Sequence, residues 1–436
     1  MNTSLNYLRH KNFAIYGLGV TGRSVINCFN KCGFKNYIGW DDDNKVFKRF
    51  LGHKYTRMRS DFLKLINFVD YIILSPGISI NKAKLKKILL KNKQKIITDL
   101  DLFYLLNPGV KSIVVTGTNG KSTTCKIIEH VLRKNNINAN LGGNIGNPIL
   151  NFNSKKNSLM VIEASSFQLA YSKFVKPDYA LILNITKDHL DWHGSMNSYI
   201  QSKFKIFSLQ KRNNFAFINN KELLKKFRKN RYASKIKFIT STKYKKIKNK
   251  IKNNYLSSEV NEENMSFVYA LSRILKIKEK SFIKSLKSFK GLAHRHEIFY
   301  KKNNKIFIND SKATSFQASK FALKNNKNIF WIVGGLPKMG DRFELGKLKK
   351  NIIKAYIIGK YMKNFTRPLK GKVDLQLCRT LKNATISTFR DTKNITDKKI
   401  TILLSSASAS YDQFKNFENR GEQFKKLVKI YGKKFF

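Results

Sequence analysis

Short apolar, β-branched runs alternate with longer stretches of helical periodicity along most of this chain, which is the pattern of a parallel α/β architecture. NFAIYG (12–17), NYIGWDD (36–42) and DYIILS (70–75) form a first group, which ends near Asp99–Leu106. A second group begins with KSIVVTG (111–117) and continues through SLMVIEAS (158–165) and DYALILNIT (178–186). KIFIND (305–310), NIFWIVGG (328–335), KAYIIG (354–359) and KITILLSS (399–406) make a third, after Gly291. No internal repeat and no Pro/Ser linker marks the divisions, so the rhythm alone sets them. Breaks near Pro108 and Gly291–His294 predict three α/β domains, over residues 1–107, 108–292 and 293–436.

Two glycine loops interrupt this rhythm at strand ends. The first strand runs into Gly17-x-Gly19-x-x-Gly22, and Asp41 closes the next strand nineteen residues after Gly22. That spacing fits a dinucleotide fingerprint: glycine for the tight turn and for close approach to a pyrophosphate, and an acidic group for a ribose or base. A tight turn that binds nothing is the alternative. The second loop, Gly117-Thr118-Asn119-Gly120-Lys121-Ser122, follows a β-branched strand and precedes a helix with Ile127, Ile128 and Val131 on one side. Its backbone N–H groups and helix N-terminus favour an anion. Lys121 adds a point charge for the β/γ-phosphates, and the Ser122 or Thr123 hydroxyl can meet Mg²⁺. The spacing is two residues shorter than GxxxxGK[ST], but the context makes this the ATP site.

Candidate metal ligands follow. Glu163 ends an apolar strand beside the phosphate loop, where a hard oxygen suits Mg²⁺. His189 and His193 stand four apart in NITKDHLDWHGS, a spacing open to zinc. There is no HExxH motif and no third ligand is evident, so His189 is read as a polar active-site group, with an ordinary loop histidine as the alternative.

Composition changes this picture little. The 436 residues are 42% hydrophobic, which fits globular domains, and the formal net charge is +59. Such charge ordinarily suggests a polyanion partner. The lysines are interleaved with Asn and Ile along the whole chain, so we read them as coding bias, with a selected polyanion surface as the alternative. Cys28, Cys32, Cys125 and Cys378 form no CxxC pair and are expected to be reduced. No leader-like N-terminus and no apolar run of spanning length stands out, so a cytoplasmic enzyme is expected without membrane insertion.

TGTNGKST, GGNIGNP, EASSFQL, NITKDHLD, HRHE, NDSKAT and LLSSASASYDQFKNFENRG occur in the order seen in the Mur ligase family, and the resemblance covers essentially the whole chain. SPGIS, SSFQL, NDSKAT and DQFKNFENRG resemble the branch that adds D-glutamate; the DNPR-type motif of the diaminopimelate- or lysine-adding branches is missing. The resemblance implies a Rossmann-like N-terminal domain for a UDP-sugar, a central P-loop ATPase-type domain with a mostly parallel sheet, and a Rossmann-like C-terminal domain for the amino acid. It implies that the first loop holds UDP rather than NAD. It also implies a reaction in which ATP phosphorylates the carboxylate of UDP-N-acetylmuramoyl-L-alanine and D-glutamate attacks the acyl phosphate.

By the same resemblance, Gly117, Thr118, Asn119, Gly120, Lys121, Ser122, Thr123, Asn264, Arg295 and Asp310 bind ATP, the last two from the third domain. Val20, Thr21, Asp41, Asp42, Ser75, Gly77, Asn144 and His189 bind the UDP substrate. Lys312, Thr314, Lys338, Ser410 and Phe417 bind D-glutamate. Lys121, Glu163, His189, Lys203 and Arg295 are implied as catalytic. Ser122, Glu163, His189 and Lys203, the last as a carbamate, are implied at two Mg²⁺ sites. A monomer that needs no nucleic acid is expected. Ser406 and Ser408 stand where the family commonly has Pro and Cys, Val260 stands where His is usual, and GGLPKMGDRF differs in length around Lys338. The rival readings are a ligase for another amino acid, a dehydrogenase using the first loop, and a nucleic-acid-stimulated ATPase.

Overall fold

A computed structural model of the chain describes residues 3–49, 59–144, 148–152, 158–253, 255–256, 259–338 and 340–435. Residues 145–147 of GGNIGNP, the Val260 side chain and Met339 lie outside the described residues. The chain separates into two compact units, 1–289 and 290–436.

The first unit holds two sheets. One is built from β1 (Phe13–Tyr16), β2 (Tyr37–Trp40), β3 (Tyr71–Leu74) and β4 (Ile96–Ile97), in the order β2-β1-β3-β4 and wholly parallel. The other is built from β5 (Lys111–Thr116), β6 (Ala139–Gly143), β7 (Leu159–Glu163), β8 (Tyr179–Ile182), β9 (Phe215–Ile218) and β10 (Lys235–Phe238). Its order is β10-β9-β8-β5-β7-β6, again parallel throughout. Parallel strands covered on both faces need continuous apolar runs, and β1, β2 and β7 are buried at every residue.

Helix Lys121–Lys134 buries Ile127, Ile128 and Val131, the stripe expected from the sequence. Helix Asp99–Leu106 opens with a capping box in which Thr98 and Asp101 satisfy each other's backbone N–H groups. It is buried almost all round and belongs to a core that also contains residues of both sheets. Its Asp101 Oδ1 accepts from the Ser172 hydroxyl and the backbone N–H of Lys173 and Phe174, which fixes the helix to the half of the unit that carries the second glycine loop.

The second unit carries β11 (Glu297–Lys302), β12 (Lys305–Asn309), β13 (Ile329–Gly334), β14 (Ile352–Ile358), β15 (Asp374–Arg379) and β16 (Ile400–Leu404). They lie in the order β11-β12-β16-β13-β14-β15, parallel apart from the antiparallel β11–β12 pair. In each sheet one strand is flanked by two strands that lie on the same side of it in chain order: β2 and β3 beside β1, β7 and β8 beside β5, and β12 and β13 beside β16, so the order reverses there. Such switch points leave a crevice at the carboxyl ends of the strands, where ligands of open α/β sheets bind.

Candidate active site

The carboxyl ends of β1, β2 and β3 deliver Gly17, Asp41 and Ser75 to one crevice. Gly17 has φ +97°, a conformation glycine adopts without strain, and a Cβ there would collide with Ser75 and Ile78. Ser75 Oγ instead donates to the Gly17 carbonyl at 2.8 Å. Asp41 accepts from the Leu18 N–H at 2.7 Å and the Asp43 N–H at 2.8 Å, so its carboxylate shapes the loop. Asp42 accepts from the Tyr16 hydroxyl, Trp40 Nε1 and the Lys84 N–H.

A cavity of about 720 Å³ opens here, lined by Val20, Thr21, Asp41, Asp42, Ser75, Gly77 and Asn144. Those seven of the eight residues implied for the UDP substrate are thus brought together, while His189 is not part of the lining. Sequence reasoning missed Asp99, which lines the same cavity. Burial pushes its carboxyl up to about 6, against two hydrogen bonds of 3.2 Å from Gln168 Nε2. The capping-box pattern at TDLD was the available signal, and it speaks for the helix rather than for the cavity.

The second loop lies between β5 and helix Lys121–Lys134. Gly120 has φ +82°, and a Cβ there would run into the Asn264 carboxamide, so the loop and Asn264 are in close apposition. Thr118 Oγ1 lies 3.0 Å from the Tyr199 hydroxyl and accepts the Thr186 N–H at 3.0 Å, and the Asn119 N–H is held by Asn184 Oδ1 at 2.8 Å. Lys121 Nζ donates to the carbonyls of Gly117 (2.9 Å) and Thr118 (2.8 Å), closing its ammonium over the loop. Ser122 and Thr123 occupy the first turn of the helix, an end whose N–H groups and dipole favour an anion.

Glu163 ends β7 beside this loop and is 2% exposed. Its Oε1 accepts from Asn144 Nδ2 at 3.0 Å, while Oε2 is buried and has no hydrogen-bond partner among the described residues. A buried carboxylate oxygen without a partner is costly, and a hard divalent cation is the group that would satisfy it. The Asn144 contact also ties Glu163 to the cavity above.

Lys203, on helix Met196–Phe204, is 1% exposed. Its Nζ donates to the Gly117 carbonyl at 2.8 Å and the Thr116 hydroxyl at 3.5 Å, and lies 4.6 Å from the centre of the Tyr199 ring. Burial, then the nearby Lys121 charge, lower its pKa to about 6, while Asp188 opposes the shift.

His189 has φ 51°, packs on Phe167 and sits 3.4 Å from Asp188. His193 Nε2 lies 3.0 Å from the Ser166 hydroxyl and its Nδ1 3.4 Å from that of Ser202. Burial and the neighbouring Lys203 lower its pKa to about 4. Serine hydroxyls therefore face both ring nitrogens of His193.

In the second unit, Lys312 Nζ stands 3.7 Å over the Phe417 ring, joining two of the residues implied for D-glutamate. Thr314 lies in the turn before helix Phe316–Asn325, and Ser410 is buried in the segment after β16. Lys338 instead lines a cavity of about 650 Å³ with Arg342 and Phe343, and Lys312, Thr314, Ser410 and Phe417 are not among its lining.

Asp310, expected at ATP, is buried, with its carboxylate accepting from the His296 N–H (3.0 Å) and the Ser405 hydroxyl (2.7 Å). Burial pushes it up to about 7. Arg420, which the sequence reading did not single out, is 0% exposed and donates to Ser311 Oγ (3.0 Å) and to the carbonyls of Ser311 (2.8 Å), Ser408 (3.0 Å) and Ala409 (3.4 Å). It clamps the segments that carry Lys312 and Ser410.

Comparison with known proteins agrees with this geometry. Residues 115–287 match the Mur ligase middle domain. The UDP-N-acetylmuramoylalanine--D-glutamate ligase of Rickettsia prowazekii is 35% identical over 445 residues, covering 98% of this chain and 99% of that one. The enzymes of the same description from Wolbachia pipientis and Nitrobacter hamburgensis are 32% and 30% identical, with 96% of both chains covered in each case.

Among solved structures, UDP-N-acetylmuramate-alanine ligase of Thermotoga maritima matches with a TM-score of 0.57 at 17% identity, over 98% of this chain and 100% of that one. The MurF ligase of the same organism, solved with ADP, matches at 0.53 and 18%, over 85% and 92%. These structures share the three-domain α/β fold. The chain belongs to the Mur ligase family, in the group of UDP-N-acetylmuramoylalanine--D-glutamate ligases.

Proposed function

We propose that this chain joins D-glutamate to UDP-N-acetylmuramoyl-L-alanine with ATP, through an acyl phosphate, as a step of peptidoglycan synthesis. Full-length similarity supports the reaction. The observation that carries the chemistry is the unpartnered Glu163 oxygen beside the phosphate loop, tied through Asn144 to the 720 Å³ cavity.

The cavity residues orient the sugar nucleotide so that its lactoyl-alanine carboxylate meets the γ-phosphate. Two anions then approach each other, and the barrier falls through positioning and charge neutralisation. The loop N–H groups and Lys121 hold the phosphates. Glu163, His189, Ser122 and a carbamylated Lys203 would hold Mg²⁺, which supplies charge neutralisation at the phosphoryl oxygens when bound. Arg295 adds positive charge to the transferring phosphoryl group. One carboxylate oxygen bonds phosphorus and ADP leaves; the D-glutamate amine then attacks the acyl carbon, and phosphate leaves with that oxygen. Lys312, Thr314, Lys338, Ser410 and Phe417 hold the amino acid, the two lysines suiting a dicarboxylate.

The amine of Lys203 supports the carbamate reading, because a neutral amine is the form that adds CO₂. The residue ranges 1–107, 108–292 and 293–436 remain our division of the three domains. Among the described residues no helix is long and apolar enough to cross a membrane, and we place the enzyme in the cytoplasm as a monomer.

Phosphate release from ATP in the presence of UDP-N-acetylmuramoyl-L-alanine tests the reading. It should depend on D-glutamate and yield a new amide. Turnover with a different amino acid alone would overturn the specificity, and turnover only with nucleic acid would overturn the function.

A further inference from the structure

Arg295 stands between two residues in the left-handed backbone region, His294 (φ 61°) and His296 (φ 46°). Conformations of this kind cost on the order of 1–3 kcal/mol each and persist only where the surroundings impose them. Here a carboxylate holds the peptide N–H on either side of Arg295. The His294 N–H donates to Glu297 Oε2 at 2.9 Å, and the His296 N–H donates to Asp310 Oδ1 at 3.0 Å.

Glu297 is the hub of this bracket. Its Oε2 also receives Asn309 Nδ2 at 3.3 Å, and its Oε1 receives Lys425 Nζ at 2.9 Å from helix Phe417–Phe435. Asn309 Nδ2 lies 2.9 Å from His294 Nδ1 as well, and the His294 carbonyl accepts the Lys312 N–H at 3.0 Å. The backbone that carries Arg295 is therefore fixed to β12 and to the C-terminal helix, all within the second unit.

We propose that Glu297, braced by Lys425, is a positioning residue that holds the Arg295 backbone in its strained form and so aims the guanidinium; this rests on the reading that Arg295 acts in phosphoryl transfer. The side-chain contacts of Glu297 run to His294, Asn309 and Lys425, and its effect passes through Arg295.

A double-mutant cycle tests this, since residues acting through one another are non-additive. Glu297→Ala should lower kcat about 10–100-fold and leave the KM for the UDP substrate within about threefold, because that cavity belongs to the first unit. Glu297→Gln, which keeps an acceptor for the His294 N–H, should recover most of the loss. Arg295→Ala should be slow, and Glu297→Ala added to it should cost nothing further. Additive losses in the double variant, or a Glu297→Ala enzyme with unchanged kcat, would overturn the positioning role. A fast Arg295→Ala enzyme would instead overturn the reading of Arg295, and this inference with it. Should Glu297→Ala fail to fold, Lys425→Met takes its place in the cycle, because it removes the ion pair that holds Glu297 Oε1 while keeping the carboxylate itself; a smaller loss of kcat, again absent in the Arg295→Ala background, is then expected, and an unchanged kcat would overturn the bracing.

Discussion

Replacing Lys203 with Met should make the protein more stable and inactive at once. Lys203 is 1% exposed, and its Nζ lies within 3.5 Å of two oxygens that are both uncharged. Its pKa is lowered from 10.5 to about 6 in the folded protein, first by burial and then by Lys121. Between those values the folded chain holds one proton fewer than the unfolded chain, so stability rises with pH across the window. The cost of keeping this lysine is full below about 6 and disappears above about 10.5.

At pH 7.5 the cost is about 3 pH units, or about 4 kcal/mol, and at pH 9.5 it has shrunk to about 1 kcal/mol. Met fills much of the same volume without that penalty. Urea unfolding in bicarbonate-depleted buffer should therefore show Lys203→Met ahead of the parent by up to about 4 kcal/mol at pH 7.5, with the gap closing by pH 9.5. Ligase activity should be lost, and short carboxylates should restore part of it to Lys203→Ala. A Met variant no more stable than the parent, or a gap independent of pH, would show that the buried amine keeps its proton. The carbamate reading would then lose its physical basis.

Lys121→Ala should abolish turnover, by about 10³-fold or more in kcat/KM, measured as ADP formation; ATP-dependent ligation that survives would refute the assigned phosphate site. Gly120→Ala forces a side chain into φ +82° and against Asn264, and should raise the KM for ATP about tenfold or more, with little change in the KM for D-glutamate. Arg420→Met takes the Arg420 partner from the buried carbonyls of Ser311 and Ser408, and should destabilise the second unit by roughly 3 kcal/mol, read by thermal unfolding.

All ten apolar runs singled out from the sequence became strands, from NFAIYG at β1 to KITILLSS at β16. The strands not anticipated were β4, β6, β9, β10, β11 and β15. Five of these are sheet edges, where one side of the strand faces no partner and mixed residues such as KIKF or DLQLCR are tolerated. The sixth, FAFI at β9, is too short to stand out from its Asn- and Lys-rich surroundings. Glycine loops and strand-end carboxylates were legible because their chemistry lies in local spacing.

Burial of single charges was not legible. Lys203 and Arg420 are two of 86 lysines and arginines, and nothing local separates them from solvated ones. The roles of Asp99 and Glu297 likewise arise from partners 69 and 128 residues away, Gln168 and Lys425.

The account turns on ATP activating the substrate carboxylate at the site joining the phosphate loop, Glu163 and Asn144. UDP-N-acetylmuramoyl-L-alanine labelled with ¹⁸O in that carboxylate should be turned over with ATP and D-glutamate, and the released phosphate examined by mass spectrometry. An acyl phosphate requires one ¹⁸O atom in each phosphate formed. Phosphate free of label, with amide still produced, would contradict the mechanism at its first step.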